Sequence, residues 1–399
     1  MSTNTPSYPP SVPTERELTD FGVQRVQHEN IFSDTWHAQH YVEQRVFDIR
    51  HARPPEKPLV LFREKHVSWL MRHLQYLPRG SESFDVLQGW SCFWIVHSLN
   101  LLGATIPVPT ASMVVKHLAT FKDPVVGGYG GGPGQSSHLA SSFSVIMTLC
   151  GLGTEEALMS IDSVSLLRFI LQMKQADGSF RVSFGGETDV RAMYCAICIA
   201  SIVGLLKGVE AEKITRGCAS YVKSLQGFDG GLGGEPGAES HGGNSFCGLA
   251  TLVILDELDA VDTGALLDWA VMRQMAYEGG FQGRTNKLVD SCYSFWVGSL
   301  FPLLGLKARA PAGMSKLFDA DALQRYVLEC AQLENGGFRD KPGTSRDLMH
   351  SCYALSGLSI AQHFGEAKHD AKNEVKKVDP VFNIAEDKIN YVKEFFSQT

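Results

Sequence analysis

The chain contains 399 residues, 44% of them hydrophobic and 20% charged, a balance typical of a globular protein with a substantial core. Its formal net charge of -7 argues against a general nucleic-acid-binding surface. No apolar run reaches the roughly 18 residues of a spanning helix, and the N-terminal segment lacks the apolar stretch of a signal peptide. We therefore expect a cytoplasmic protein that binds no nucleic acid and does not insert stably into membranes. The nine cysteines are scattered singly, which predicts reduced thiols rather than disulfides.

The polar residues 1–55 are predicted to form an N-terminal extension rather than a domain. A first pair of helices is predicted between residues 63 and 103, where an amphipathic run precedes a second run that is apolar on every side. These runs read REKHVSWLMRHLQYL and WSCFWIVHSLNLLG. We interpret the pair as a degenerate copy of the repeat that follows it.

Five glycine-rich turns come next, with starts about fifty residues apart. They read GGYGGGPGQ from residue 127, DGSFRVSFGGE from 177, DGGLGGEPG from 229, EGGFQGRTNK from 278 and NGGFRDKPG from 335. Each turn follows a helical run with charged residues and precedes a run of small, apolar and cysteine residues. The repeating unit is therefore predicted to be helix, glycine turn, helix, in about six copies.

Two layers of helices follow from this pattern, because a helix without a polar stripe must be buried. Six pairs could form an open solenoid or close into a ring. An open solenoid needs polar capping repeats at both ends, and these are weak here, which favours closure. We therefore predict an all-α fold, an α/α toroid of about six helix pairs over residues 56–364. Its central cavity is the expected binding site, and residues 365–399 are predicted to be a wrapping tail.

A candidate metal site appears when the fourth and fifth turns are aligned on their shared SCY. The string VDSCY then lies over MHSCY, which gives Asp290 and His350 the same position in successive repeats. Cys292 follows in the first turn of its helix, so oxygen, sulfur and nitrogen ligands converge in a set that suits zinc with one open position. The alternative is that Asp290 is a helix cap and Cys292 a core thiol. Cys352 is a competing ligand that we interpret as core.

A candidate anion site lies beside these residues. Arg284 and Lys287 belong to the fourth turn, His241 belongs to the third, and Tyr293 follows Cys292 directly. Cations and hydroxyl donors at helix N-termini favour phosphate, because the helix end adds free N–H groups. The alternative is that the two cations are ordinary solvated turn residues.

Aromatic residues recur on the predicted inner helices and predict a cavity lined by rings. They are Trp90, Phe93, Trp94, Tyr194, Phe246, Trp296 and Tyr353. Aromatic residues at helical spacing usually form only core, but a toroid with three tryptophans on its inner wall must place them at the cavity. A long apolar ligand with a diphosphate end, next to a metal-activated nucleophile, fits these features together.

The chain resembles the β subunits of protein farnesyltransferases over roughly residues 55–395. The resemblance rests on long ordered strings, which read REKH, GGGPGQSSHLA, GGETDVRAMYC, SHGGNSFCGLA, GGFQGRTNKLVDSCYSFW, DKPGTSRDLMHSCYALSGLSIAQHFG and DPVFNIAEDK. It implies an α/α toroid that acts as a heterodimer with a helical-repeat α subunit. It also implies farnesyl transfer from farnesyl diphosphate to the cysteine of C-terminal CaaX sequences, with small GTPases among the protein substrates.

The resemblance also implies roles for particular residues. The zinc ligands would be Asp290, Cys292 and His350. Diphosphate contacts would come from His241, Arg284, Lys287 and Tyr293, and Asp340 would help to hold magnesium at the diphosphate. The isoprenoid wall would include Arg191, Tyr194, Cys247 and Trp296. The CaaX peptide would contact Trp90, Trp94, His138, Ala140, Met349 and Tyr353.

The size of Trp90 and Tyr353 resembles farnesyl-transferring members, so we expect a farnesyl rather than a geranylgeranyl donor. Met349, Asn244 and Thr344 depart from the usual pattern of tyrosine, tyrosine and lysine, which should alter peptide preference and loosen the lipid wall. A geranylgeranyltransferase β subunit is the main alternative. A terpene cyclase is disfavoured because the chain lacks an Asp-x-Asp-Asp motif, and a non-catalytic toroid would leave the candidate ligands merely structural.

Overall fold

The computed structural model describes residues 33–53, 58–75, 82–307 and 317–398. In chain order its helices are α1 Asp34–His51, α2 Arg63–Gln75, α3 Gln88–Leu101, α4 Val108–Ala119, α5 Leu139–Leu152, α6 Glu155–Met159, α7 Ser163–Met173, α8 Val190–Ile202, α9 Val209–Thr215, α10 Cys218–Ser224, α11 Gly242–Leu255, α12 Thr263–Val271, α13 Tyr293–Trp296, α14 Leu300–Lys307, α15 Ala320–Arg325, α16 Leu348–His363 and α17 Glu386–Gln398. Short 3-10 helices span Glu82–Leu87 and Leu258–Ala260, and a π-helix spans Tyr326–Ala331. The strands β1 Val378–Asp379 and β2 Ile384–Ala385 form one antiparallel pair.

The helices form an inner and an outer layer, as the sequence pattern predicts. The outer helix α7 is amphipathic and buries a stripe at Leu166, Phe169, Ile170 and Met173, spaced three or four residues apart. The inner helix α5 instead buries almost every residue, including its serines. The outer layer comprises α2, α4, α7, α10, α12 and α15, and the inner layer comprises α3, α5, α8, α11, α13 with α14, and α16.

The inner helices close into a ring, which confirms the predicted toroid and rules out an open solenoid. Each inner helix packs against the next along the chain, and α16 returns to pack against α3. At this seam the Nε2 atom of His97 on α3 lies 3.0 Å from the Oγ atom of Ser356 on α16. The chain therefore surrounds a central space with six helix pairs.

The glycine turns fix where each inner helix begins. In each turn a short antiparallel bridge pairs the end of the outer helix with an aromatic or leucine residue after the glycines. The carbonyl of that residue then accepts a hydrogen bond from the backbone N–H that starts the inner helix. The pairs are His138 to Tyr129, His241 to Leu232, Asp290 to Phe281 and Asp347 to Phe338, with N···O distances of 3.0–3.1 Å. His138, His241, Asp290 and Asp347 therefore hold one equivalent position, which we name the cap position.

The predicted equivalence of Asp290 and His350 is wrong. Asp290 is equivalent to Asp347, and His350 lies three residues further into α16. The matching SCY letters are out of phase, because Ser291 is the first residue after its cap position and Ser351 is the fourth. The start of α13 is also irregular, since a turn precedes this helix, which begins only at Tyr293. The Ser294 hydroxyl reflects this irregular helix start, since it is buried without a hydrogen-bond partner among the described residues. The equivalent hydroxyls of Ser142, Ser245 and Ser351 each accept a backbone N–H from their turn.

The tail lies against the end of the ring opposite the glycine turns. The N–H of Lys376 donates to the carbonyl of Leu101 at the end of α3, at 2.8 Å. Strand β2 packs on α3 and α5, and α17 packs on α5 and α8. The Tyr194 hydroxyl donates to the carbonyl of Val381 at 2.8 Å. The tail therefore covers the far end of the central space.

Helix α1 carries the described part of the predicted extension and lies against the outer layer. The Nη1 atom of Arg50 donates to the carbonyl of Tyr277 at 2.7 Å, and Arg53 forms a 2.8 Å ion pair with Glu329. Residues 1–32, 54 and 55 of the extension lie outside the described residues. Within the described ranges, no helix combines the length and the apolar character needed to cross a membrane.

Replacement of Gly357 by alanine should destabilise the closed ring. A Cβ atom at Gly357 on α16 would lie 2.1 Å from the Cβ atom of Ser294 on α13, so the two inner helices must move apart. Overpacking of this kind costs about 1–3 kcal/mol. The midpoint of thermal unfolding should fall, whereas Gly264→Ala on the exposed start of α12 should leave it nearly unchanged. Equal midpoints for the two variants would contradict the close packing of α13 on α16.

Candidate active site

A cavity of about 770 Å³ occupies the glycine-turn end of the ring. Two positions of the inner helices supply much of its wall, namely the second and sixth residues after the cap position. Residues four apart share one face of a helix, so each inner helix can present two such positions to the cavity. The upper set is Ala140, Arg191, Gly243, Cys292 and Met349, and the deeper set includes Cys195, Cys247, Trp296 and Tyr353. In the first pair, Trp90 and Trp94 face the cavity from the third and seventh positions after the N-cap Leu87 of α3.

An aromatic girdle of rings in successive contact runs from Trp90 to Tyr353 across the inner helices. The successive centroid distances are 5.7 Å for Trp90–Phe143, 5.5 Å for Phe143–Tyr194, 5.2 Å for Tyr194–Phe246, 5.1 Å for Phe246–Trp296 and 4.3 Å for Trp296–Tyr353. The deeper set is uneven, because Trp94, Trp296 and Tyr353 lie on one side and two small cysteines on the other. An apolar chain would therefore find more room on the cysteine side.

Asp290, Cys292 and His350 come together at the rim of the cavity. One ligand atom from each residue lies within 4.8 Å of the other two. The Nε2 atom of His350 is 3.3 Å from the Oδ1 atom of Asp290. Asp290 also accepts the N–H of Cys292 at 2.9 Å, so it acts as a helix cap and remains available as a ligand. The three side chains could hold a divalent metal ion.

Asp347 supports this group, although its role was not predicted from the sequence. Its Oδ1 atom accepts the N–H of His350 at 2.8 Å, and its Oδ2 atom lies 2.6 Å from the Nδ1 atom of the His350 ring. A proton on Nδ1 leaves the Nε2 lone pair facing Asp290 and Cys292. The signal in the sequence was an aspartate three residues before the histidine, which is the spacing of a capping residue.

The charges of the group favour a cation between the three side chains. Burial, reinforced by Asp290, raises the pKa of the Cys292 thiol well above its usual range. Burial opposes a charge on His350, but hydrogen bonds to Asp290 and Asp347 raise its pKa to about 10. Burial likewise opposes ionisation of Asp290, yet contact with His350 keeps the pKa of Asp290 below its usual value. A bound divalent ion would replace the thiol proton and the imidazolium charge.

His241 and Tyr293 form a second polar group on the same rim. The His241 Nδ1 atom accepts the N–H of Gly243 at 3.1 Å, so a neutral ring carries its proton on Nε2. That Nε2–H points at the Tyr293 hydroxyl oxygen, 2.9 Å away. Burial raises the pKa of Tyr293 and, together with the positive charge of Arg284, lowers that of His241. The pair thus presents a neutral O–H donor to the cavity.

Three residues predicted to bind the diphosphate or its magnesium ion do not line the cavity. Arg284 and Lys287 lie in the fourth turn but not among the lining residues. The Arg284 Nη1 atom instead forms a 2.9 Å ion pair with Glu239 on the partly exposed rim. Lys287 is exposed. Asp340 also lies outside the lining, and its carboxylate is hydrogen-bonded by Lys341 and Thr344.

The remaining predicted site residues lie on the cavity wall. They are Trp90, Trp94, His138, Ala140, Arg191, Tyr194, Cys247, Trp296, Met349 and Tyr353, and the variant position Asn244 lies with them. His138 is a helix cap like His241, with its Nδ1 atom accepting the N–H of Ala140 at 3.1 Å. Arg191 is paired with Asp189 through an Nε–Oδ2 hydrogen bond of 2.9 Å. Asp189 and Glu187 are further wall residues that the sequence reasoning did not single out.

Comparison with known proteins places the chain in a family. Residues 61–384 match the prenyltransferase alpha-alpha toroid domain. A farnesyltransferase β subunit of Pisum sativum is 36% identical, covering 84% of this chain and 94% of its own length. A type-1 geranylgeranyl transferase β subunit of Arabidopsis thaliana is 32% identical, with coverages of 76% and 86%. The chain therefore belongs to the prenyltransferase toroid family and, within it, to the β subunits of protein prenyltransferases, which are enzymes.

A solved structure supports the fold. The Candida albicans protein geranylgeranyltransferase-I, determined with geranylgeranyl diphosphate, aligns with a TM-score of 0.71 over 84% of this chain and 99% of its own. The sequence identity of that pair is 21%, so this match establishes the toroid architecture.

Replacement of Asp347 by asparagine should weaken metal binding. Asparagine can still cap α16 through its carbonyl oxygen, but an amide group facing His350 Nδ1 no longer favours the tautomer that leaves Nε2 free. Loss of such a supporting contact typically costs about 10- to 100-fold in metal affinity. Competition with a zinc-selective chelator measures the affinity.

A matched control is Asp319→Asn, which alters the exposed capping residue of α15. That variant should retain the affinity of the original chain. Equal affinities for the Asp347 and Asp319 variants would show that Asp347 is only a helix cap.

Proposed function

We propose that this chain is the catalytic β subunit of a protein farnesyltransferase. It would transfer the farnesyl group of farnesyl diphosphate to the cysteine thiol of a C-terminal CaaX sequence and form a thioether. The observation that carries the proposal is that a possible metal site and an aromatic cavity share one wall. Relatives named as farnesyltransferase β subunits, at 35–37% identity over most of the chain, support the donor.

Zinc fits the donor set of Asp290, Cys292 and His350. One oxygen, one sulfur and one nitrogen ligand leave a fourth tetrahedral position for an incoming group. A free cysteine thiol has a pKa of about 8.5, so little of it is thiolate at neutral pH. Zinc would supply the positive charge that keeps the substrate thiol ionised. The role of this chain's own residues is to hold that sulfur beside the aromatic cavity that receives the farnesyl chain.

The diphosphate leaving group would lie against His241 and Tyr293. The His241 Nε2–H donates to the Tyr293 oxygen, which strengthens the Tyr293 O–H as a donor toward the anion. Arg284 would add a positive charge once it leaves Glu239, to which it is ion-paired here. Donors set in advance around developing negative charge lower the barrier to its release. Lys287 is close in sequence and exposed, so it can join this group.

Magnesium at the diphosphate would require Asp340 to change partners. The carboxylate is engaged by Lys341 and Thr344, so a Mg²⁺ ion must displace these contacts before it can bind there. A lysine would be expected at position 344, and Thr344 contributes a hydroxyl instead of a charge. With that exchange of partners, we propose a magnesium ion at the diphosphate, with Asp340 as its ligand.

The length of the lipid chain would be limited by the deep aromatic residues. Trp296 and Tyr353 pack with tilted rings whose centroids are 4.3 Å apart and, with Trp94, fill one side of the cavity. This bulk favours farnesyl over the longer geranylgeranyl group. The geranylgeranyl-transferring alternative is kept because one related β subunit of that type matches most of this chain.

The proposed partner is an α subunit, since the relatives are described as subunits. The proposed protein substrates are CaaX-terminated proteins such as small GTPases. The peptide would enter along Trp90, His138, Ala140 and Met349, which line the upper wall. Arg191, on the same wall, is partly neutralised by Asp189.

Turnover of the chain with an α subunit tests the proposal directly. Peptides ending in serine or methionine should be modified with farnesyl diphosphate, and peptides ending in leucine should react poorly. Preference for geranylgeranyl diphosphate and leucine would favour the alternative. Absence of transfer with either donor, by a folded heterodimer containing zinc, would rule out both.

Replacement of Arg284 by alanine should slow the reaction without loss of zinc. Removing one such donor costs about 3 kcal/mol of barrier, or roughly a hundredfold in kcat. Zinc content should not change, because Arg284 contacts Glu239 and none of the three candidate ligands. Single-turnover rates and metal analysis separate the two effects.

The matched control is Glu239→Gln, which frees Arg284 from its ion pair. Its rate should equal or exceed that of the original chain. If Arg284→Ala kept its full rate, Arg284 would be an ordinary surface cation.

A further inference from the structure

We propose that Lys174 and Cys218 form a reversible nitrogen–sulfur cross-link when the protein meets a peroxide. The Nζ atom of Lys174 lies 3.0 Å from the Sγ atom of Cys218. Lys174 is the C-cap residue of α7, and Cys218 is the first residue of α10. The bond would therefore join the outer helices of two successive repeats, away from the catalytic cavity.

The surrounding contacts hold the two atoms in place. The Lys174 Nζ atom also donates to the carbonyl of Gly178 at 2.9 Å and lies 4.4 Å from the ring centroid of Phe180. Cys218 is fully buried, and the backbones beside it are in tight contact: a Cβ atom on Gly178 would lie 2.2 Å from the carbonyl oxygen of Gly217. These contacts hold the Lys174 amine within reach of the Cys218 sulfur.

A surface pocket lies beside the buried sulfur, although Cys218 itself does not line it. A pocket of about 490 Å³ is lined by Gly217 and Ala219, the two neighbours of Cys218 along the chain. Hydrogen peroxide would oxidise the thiol to a sulfenic acid and release one water. The Lys174 amine, in its neutral form, would then attack the sulfur, form an S–N bond and release the sulfenic oxygen as a second water. Thiol, amine and one peroxide thus yield the cross-link and two waters.

The local electrostatics favours the reactive neutral form of the Lys174 amine but disfavours the reactive thiolate form of Cys218. Burial lowers the pKa of Lys174, which brings it closer to the nucleophilic neutral form, although Cys218 opposes this effect. Burial raises the pKa of Cys218, and Lys174 opposes that effect in turn. The first oxidation should therefore be slow and respond to sustained exposure. Among the described residues, Cys218 is the only cysteine whose sulfur accepts a hydrogen bond from a lysine.

The cross-link would stiffen one wall of the cavity from outside. The glycine turn that starts at Asp177 continues through Glu187 and Asp189, which line the cavity. Tying the base of this turn to α10 closes a loop between residues 174 and 218 and restricts the unfolded chain, so it should raise thermal stability. Because the bond is oxidised, a thiol reductant should reverse it.

Peptide mapping of the full chain, purified with its partner subunit and treated with hydrogen peroxide, tests the proposal. We expect a joined pair of peptides whose mass is the sum of the two less two hydrogen atoms, and its loss after treatment with a thiol reductant. The midpoint of thermal unfolding should rise by several degrees on oxidation. Free Cys218, or Cys218 sulfinic acid without a joined peptide, would overturn the proposal.

Two variants and two controls sharpen the result. Cys218→Ser should abolish both the joined peptide and the rise in midpoint. Lys174→Arg keeps the positive charge but removes the amine, so Cys218 should oxidise without becoming linked. Cys92→Ser and Lys223→Met alter another cysteine and a lysine of α10, and both should cross-link as the original chain does. An oxidised Lys174→Arg variant with the same rise in midpoint would contradict an S–N bond.

Discussion

One backbone hydrogen bond at each glycine turn sets the geometry on which the cavity depends. The N–H at the cap position donates to the carbonyl of the bridging residue at 3.0–3.1 Å in four of the repeats. Because this bond fixes where the inner helix begins, it also fixes which residues face inward, namely the second and sixth after the cap. The same two positions therefore supply an aromatic side, a small-residue side and one metal-ligand candidate, Cys292, according to what each repeat places there.

The repeat that contains the fourth glycine turn departs from this regularity at the candidate metal site. Its inner helix starts with a turn, so α13 begins late and the Ser294 hydroxyl loses the partner that its equivalents keep. Asp290 caps the N–H of Cys292, as His138 and His241 cap the equivalent N–H groups of their helices, and its carboxylate also faces His350 of the next repeat. Irregular backbone at this point is consistent with a site where ligand placement outweighs local packing. Asp347 then orients the imidazole from the regular repeat.

The cavity separates two kinds of chemistry along its depth. The aromatic girdle makes the lower wall apolar, whereas the rim carries a possible metal site and the His241–Tyr293 pair. A ligand with an apolar chain and an anionic head would place each part against a suitable surface. The polar rim is also where the helix N-termini point, and their free N–H groups favour negative charge. This division of the cavity into an apolar wall and a polar rim suits a prenyl diphosphate, the kind of substrate expected of a prenyltransferase.

The sequence by itself determined the toroid, because glycine turns and apolar periodicity are local signals that recur in every repeat. It also brought Asp290, Cys292 and His350 together, though through an alignment three residues out of phase. Only the tertiary structure decided the true register, the role of Asp347, the pairing of Arg284 with Glu239 and the approach of Lys174 to Cys218. The last two contacts join residues 45 and 44 positions apart, whereas the register and the Asp347–His350 contact depend on where a helix begins. Local sequence patterns do not record contacts between repeats, and the repeated SCY letters obscured the capping aspartate three residues before His350.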